Sequence, residues 1–234
     1  MALFYVPDIA LQAALPEEEA RHCFQVLRLK AGDTIEVVDG QGTYYQAKLL
    51  PPQGKLCPIE ILESFPNFEQ RDFYIHLAIA PTKNIERIEW MLEKCIEIGI
   101  DELSFVLCER SERKIVKMER LEKIAIQAMK QSRKAQKPRL NALQNFSQFA
   151  EKVPQGQKFI AHLAEDSRKP LAQALGLRGS YCMLIGPEGD FSPKEIQKAL
   201  NQEFLAVSLG DSRLRTETAG LMACHTVHIV HQLA

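Results

Sequence analysis

Two stretches of this sequence run from an apolar segment straight into a glycine-bearing polar loop, the arrangement from which an α/β sheet builds a ligand site. In the first, residues 181–185 (YCMLI) lead into Gly186, Pro187, Glu188, Gly189 and Asp190. Ser192, Pro193 and Glu195 then fit the N-cap, first-turn proline and N3 partner of a capping box. Glycines at 186 and 189 would let main chain approach a ligand closely. In the second stretch, residues 205–209 lead into Gly210 and a loop carrying Arg213, Arg215, Thr216, Glu217 and Thr218. These side chains supply hydrogen-bond donors and acceptors at what should be the same edge of the sheet, and for any one of them a capping or surface role stands against a catalytic one. An ordinary tight turn would explain either loop alone; two in one sheet, at the carboxyl ends of parallel strands, are where open α/β sheets bind ligands.

The remaining chemistry is positive charge. Arg110, Arg113, Lys114 and Lys117, then Lys130, Arg133, Lys134, Lys137 and Arg139, form a local basic cluster that a net charge of -1 conceals. Bulk charge therefore neither supports nor excludes a nucleic-acid partner, and any such affinity must be local. His225, His228 and His231 recur every third residue with no acidic or cysteine partner, which favours packing over a metal site. The 6 cysteines show no C-x-x-C pair and read as reduced, buried thiols. No run approaches the roughly 20 apolar residues that span a bilayer, and no signal peptide is evident, so a soluble cytosolic protein is expected.

The elements that must position these loops fall into two textures. Up to about residue 65 the pattern is short β runs, at 3–6, 34–38, 43–50 and 57–62, with turn chemistry at 39–42 and 51–54. This predicts a small barrel or sandwich. From Phe73 onward, strand-like runs at 73–80, 103–107, 159–163, 181–185 and 205–209 alternate with amphipathic segments, the signature of a parallel sheet flanked by helices. Helices are predicted over 85–98, with Gly99 as the stop, over 118–134 and over 218–233. The boundary falls within 63–71, around Pro66.

Taken in order and together, GPEG (186–189) followed by Phe191, Ser192 and Glu195, and Leu209-Gly210 followed by LRTETA (214–219), resemble the signature of the RsmE family of SPOUT-class RNA methyltransferases. The likeness extends to His22, Val26, Leu27, Arg28, Lys30, Gly32 and Asp33, to Ser111-Glu112-Arg113 and to Gln131-Ser132-Arg133, covering nearly the whole chain.

The resemblance implies methylation of N3 of a uridine in 16S ribosomal RNA of the small subunit, from S-adenosyl-L-methionine, by a cytoplasmic homodimer without metal. It also implies a PUA-like RNA-binding β-barrel over 1–68. Residues 69–234 would form an α/β SPOUT domain, an open parallel sheet with a C-terminal trefoil knot. By match to the motif, the cofactor falls to Gly186, Pro187, Glu188, Gly189, Leu209, Gly210, Leu214 and Thr216, with His162 and Leu163 as a further wall. Arg215, which could stabilise a developing anion through charge-assisted hydrogen bonds, and Glu217, which could accept a proton or, equally, cap backbone amides, are the catalytic candidates. His22, Arg28, Lys30, Arg110, Arg113, Arg133 and Arg213 are the RNA candidates.

The chain departs from the family pattern at Asp190, where glycine is usual, and at Ser212, where arginine is common. Another SPOUT RNA methyltransferase with a different target, or a nonenzymatic RNA-binding module, are the competing classes; retention of both loops argues against the second. Three expectations follow: Gly186→Val should block cofactor binding in a folded protein, Arg133→Ala should weaken RNA binding and its salt dependence, and Val227→Glu should break a subunit interface on the apolar last helix.

Overall fold

The computed structural model describes residues 2–54, 56–153, 155–163 and 168–234. They group into two compact units, Met1–Gln70 with Ile126–Lys137, and Arg71–Ala125 with Pro138–Ala234.

The first unit contains β1 (Leu3–Tyr5), β2 (Ala14–Leu15), α1 (Glu17–Arg21), a π-helical turn at His22–Val26, β3 (Thr34–Val38), β4 (Tyr44–Leu49) and β5 (Cys57–Phe65). They form a curled five-stranded sheet in the order β1-β3-β4-β5-β2. The β3–β4 turn is held by Asp39, whose Oδ1 accepts from Gln41 N at 2.7 Å and Thr43 N at 3.0 Å. β5 runs longer than its apolar pattern, because a bulge at Gln46/Ala47 lets it stay paired with β4 out to Phe65. Phe4, Ile35, Val37, Leu49 and Cys57 make the core. Residues 126–137 group with this unit rather than with the flanking sequence, which a single cut at residue 68 does not capture. Lys130 Nζ lies 2.5 Å from Glu19 Oε1, Arg133 Nη2 lies 2.6 Å from Glu36 Oε1, and Gly42 N donates to Ala135 O.

The second unit contains β6 (Phe73–Ile79), α2 (Ile85–Ile98), β7 (Glu102–Leu107), α3 (Met118–Gln131, whose later residues belong with the first unit), β8 (Arg139–Asn145), α4 (Phe146–Lys152), β9 (Gln157–Ala161), β10 (Lys169–Pro170), α5 (Leu171–Ala174), β11 (Gly179–Ile185), α6 (Pro193–Asn201), β12 (Leu205–Ser208) and α7 (Thr216–Gln232). The sheet has seven strands, all parallel, in the order β10-β12-β9-β11-β6-β7-β8.

α2 follows its sequence pattern residue for residue. Asn84 Oδ1 caps Glu86 N at 3.1 Å, Ile88, Met91, Leu92 and Cys95 are buried, and Gly99 ends the helix at φ 116°. α7 packs against α2, β6 and β11. On its way it places His228 Nε2 at 2.8 Å from Gly99 O and His231 Nε2 at 2.8 Å from Tyr181 Oη, so both histidines take packing roles. All six cysteines are buried and free. Burial pushes the Cys23 thiol up to about 11, and burial together with the negative charge of Glu195 raises Cys108. Among the described residues no helix is long and apolar enough to cross a membrane.

Candidate functional site

The strand order decides where the loops meet. β12, β9 and β11 are neighbours, and their register puts Val207 beside Ala161 and Ala161 beside Ile185, so the three strands end at one level. The loops that follow are His162-Leu163, Gly186 to Asp190 and Leu209 to Arg215. They enclose a cavity of about 290 Å³ floored by Ala161, Ile185 and Val207. Of the cofactor candidates, His162, Leu163, Gly186, Pro187, Glu188, Leu209, Gly210, Leu214 and Thr216 line it, and Gly189 does not. Sequence reading did not single out Arg168 or Ala219, which also line it. Nothing in the local pattern around Arg168 marks it; it reaches the cavity by donating to His162 O.

The Gly186 to Asp190 loop is built by hydrogen bonds that its own sequence supplies. Asp190 N donates to Pro187 O at 2.9 Å, and Asp190 sits at φ 61°, in the left-handed region where glycine is usual and Asp is tolerated. Its carboxylate accepts from Phe191 N through Oδ1 and from Leu163 N through Oδ2, both at 2.8 Å. The departure from glycine thus keeps the backbone conformation and adds a tie between two walls of the cavity. Ser192 and Glu195 form the capping box, and the other oxygen of Glu195 accepts from Glu109 N at 2.8 Å.

Gly186 has a different reason from the one its position suggests. A Cβ there would meet ring carbons of Phe191 at 3.1 Å and Phe191 N at 3.3 Å. Valine would therefore disturb the turn itself, so lost cofactor binding in Gly186→Val would not report on the cavity alone. Of the glycines lining the cavity, Gly210 is the one whose conformation requires glycine, at φ 117° with nothing within 4 Å of a built Cβ.

Two arginines taken as RNA candidates are engaged by main chain. Arg110 Nη1 donates to Gly189 O at 2.8 Å, and Arg113 donates through Nε to Thr82 O at 2.9 Å and through Nη2 to Lys83 O at 2.5 Å. Lys83 N in turn donates to Glu188 Oε1 at 2.9 Å. Both arginines brace the loops around the cavity. Arg133 stands at φ 60° and pairs with Glu36, while His22, Arg28, Lys30 and Arg213 are exposed.

Arg215 and Glu217 part company at the cavity. Arg215 lines it, and Glu217 faces a second, open cavity of about 610 Å³ whose wall includes Arg213, Leu214 and Arg215 from the same loop. Glu217 is 6 % exposed, its Oε1 is 3.8 Å from Arg87 Nε, and its Oε2 is buried with no hydrogen-bond partner among the described residues. The amide-capping alternative is not what the geometry shows. Among the described residues no group of three metal-ligating side chains is present.

The apolar floor, the glycine at positive φ and the polar rim suit a flat heterocycle with a charged tail. A family model described as an RNA methyltransferase domain matches residues 69–228, and one described as an RNA methyltransferase PUA domain matches residues 15–62. A solved structure of a probable rRNA-methyltransferase from Porphyromonas gingivalis is 42% identical, with TM-score 0.94, covering 100% of this chain and 99% of that one. A ribosomal RNA small subunit methyltransferase E from Neisseria gonorrhoeae, solved bound to S-adenosyl methionine, is 28% identical with TM-score 0.87, covering 98% of each chain. The ribosomal RNA small subunit methyltransferase E of Buchnera aphidicola is 27% identical over 89% of this chain and 84% of its own.

Proposed function

Because the chain belongs to the RNA methyltransferase family, we infer that it methylates N3 of a uridine in 16S ribosomal RNA of the small subunit, using S-adenosyl-L-methionine. The observation that carries this is the convergence of three sheet-end loops on one cavity. Its residues fit the cofactor: Ile185, Val207, Leu209 and Leu214 offer apolar surface, while Gly186, Pro187, Gly210 and Thr216 offer main-chain groups at its rim. When bound, the cofactor supplies an activated methyl group on a sulfonium. The protein supplies alignment, charge and an acceptor for the N3 proton. In this reading Arg215 steadies negative charge developing on the base and Glu217 takes the proton.

Residues 1–68 are read as the PUA-like RNA-binding domain, residues 69–234 as the methyltransferase domain. RNA contacts fall to His22, Arg28, Lys30, Arg133 and Arg213, the exposed candidates whose side chains no loop carbonyl holds. The trefoil knot belongs to this reading as well. The chain's passage from β11 to β12 on the far side of β9, and its return through α7 onto β6, is compatible with such threading. Cytoplasmic location follows from a ribosomal substrate. Mass mapping of small-subunit ribosomal RNA from a deletion strain should show one uridine lacking 14 mass units, about the mass of a methylene, restored by the wild-type gene; an unchanged map would refute the assignment.

Two further outcomes are expected. Arg133→Ala should weaken RNA binding and flatten its salt dependence by about one unit of slope, because one phosphate contact is lost. An unaltered slope would leave Arg133 as the partner of Glu36 only.

A homodimer through α7 is the second. Val227 is fully buried within its own unit, at 0 % exposure, so charge there would test folding and not assembly. The outward stripe is Met222, His225 and Ile229, with Met222 at 39 % and Ile229 at 37 % exposure. In a two-fold interface a charge at Ile229 is introduced twice and buried against its copy. Light scattering should give a dimer for the parent and a folded monomer for Ile229→Glu, whereas a monomeric parent at micromolar concentration ends the proposal.

A further inference from the structure

We propose that the open cavity between the first turns of α2 and the start of α7 seats the target base, with Trp90 as its stacking face and Arg87 and Glu217 at its edge. This rests on the reading of the reaction given above and adds Trp90 and Arg87, which the motifs did not reach.

The cavity, of about 610 Å³, is walled on one side by Asn84, Arg87 and Trp90 and on the other by Arg213, Arg215 and Glu217. It shares Arg213, Leu214 and Arg215 with the 290 Å³ cavity, so the 213–215 segment is the partition between the two chambers. The two cavities thus adjoin at this segment, beside which the reacting atoms of donor and acceptor must meet in direct contact.

Three observations point to a planar, hydrogen-bonding occupant. Trp90 is 46 % exposed on a helix whose neighbouring Ile88, Met91 and Leu92 are buried, which leaves a large ring facing the cavity wall rather than the core. Aromatic rings of this kind are stacking platforms for unpaired bases. Glu217 is 6 % exposed, and its Oε2 is buried without a hydrogen-bond partner among the described residues. A buried carboxylate oxygen left without a donor is unfavourable, so a ligand that brings an N–H is favoured. Arg87 Nε lies 3.8 Å from Glu217 Oε1, and its guanidinium, on the cavity wall, has further donors for a carbonyl oxygen.

Uracil presents this complement: an N3–H flanked by two carbonyl oxygens. A turn of the Glu217 carboxylate brings its unpartnered oxygen to N3–H, and the carbonyls meet Arg87 and Arg215. The N3 proton passes first to Glu217, the anion's charge being spread onto the carbonyls beside Arg87 and Arg215; the N–H pair so freed then forms the bond to the methyl carbon, the sulfur–carbon electrons return to sulfur, and the proton leaves Glu217 to solvent. A base already methylated at N3 has no proton to give and adds a methyl at this edge, which also favours product release.

Trp90 is the only tryptophan in the chain, so its fluorescence reports on this cavity alone. Full-length protein with S-adenosylhomocysteine present is titrated with a short RNA carrying one unpaired uridine, with binding followed independently by anisotropy. The expected result is a saturable quench of Trp90 emission, weakened about tenfold or more when the uridine is replaced by N3-methyluridine. In methyl transfer, Trp90→Ala should lower kcat/KM about tenfold through KM, with Trp90→Phe recovering most of it. Glu217→Gln should lower kcat by about 100-fold or more. Both should bind S-adenosylmethionine as the parent does. An RNA that binds by anisotropy without changing Trp90 emission overturns the proposal, as do Trp90→Ala and Glu217→Gln proteins with parental kcat/KM. A protein that shows the uridine-dependent quench but methylates no small-subunit RNA would instead overturn the assigned reaction and leave the base pocket standing.

Discussion

Gly210→Val should lower affinity for S-adenosylmethionine by about 10- to 100-fold while leaving the protein folded. Gly210 stands at φ 117°, a conformation that L side chains rarely adopt, and a Cβ there would meet nothing within 4 Å. The cost is therefore backbone strain and not collision, on the order of 1–3 kcal/mol for a branched residue. At about 1.4 kcal/mol per factor of ten, that strain sets the expected range. The turn is pinned on both sides, since Ser208 Oγ accepts from Gly210 N at 3.2 Å and donates to Gly210 O at 3.1 Å. Relief of strain must then move Leu209 or the residues from Ser212 to Leu214, all of which line the cavity. Calorimetric titration checks this, with a melting curve as control. Parental affinity would show that this loop does not shape the cofactor site.

Gly220→Val should destabilise the protein by roughly 3 kcal/mol, the upper end of overpacking costs, lowering Tm by about 6–12 °C for a chain of this size. Gly220 lies in the second turn of α7, where a Cβ would stand 2.6 Å from Met91 Sδ, 3.1 Å from Ile79 Cδ1 and 3.3 Å from Leu77 Cδ2. Met91, Ile79 and Leu77 are all fully buried, at 0 % exposure, so none can swing into solvent. Glycine in a helix interior costs about 1 kcal/mol relative to alanine, which the close packing of α7 on β6 and α2 must outweigh. Gly220→Ala should be milder, because the flexible Met91 thioether can shift and helix propensity improves. Thr216 and Ala219 open the same helix and line the cofactor cavity, so the valine variant should also lose cofactor affinity. A melting curve equal to the parent's would contradict the seating of α7.

What the sequence determined by itself was whatever short-range physics controls. The 3.6-residue period of 85–98 with Asn84 before it and Gly99 after it specifies α2, and Ser192, Pro193 and Glu195 specify the start of α6. The apolar runs locate most strands, and the order of the GPEG and LRTETA motifs locates both main loops. β8 escaped because RLNALQN is a polar edge strand that becomes a strand through its pairing with β7, and β10 is only two residues long.

Tertiary structure alone decided the rest, because strand order is not written in any local pattern. The adjacency of β12, β9 and β11 brings His162, Gly186 and Gly210 to one cavity across long stretches of chain. The same long-range packing turns Arg110 and Arg113 onto loop carbonyls instead of outward, and groups residues 126–137 with the first unit. It also sets Trp90 on α2 across from Glu217 on α7, a pairing between helices that only the docking of α7 against α2 could create.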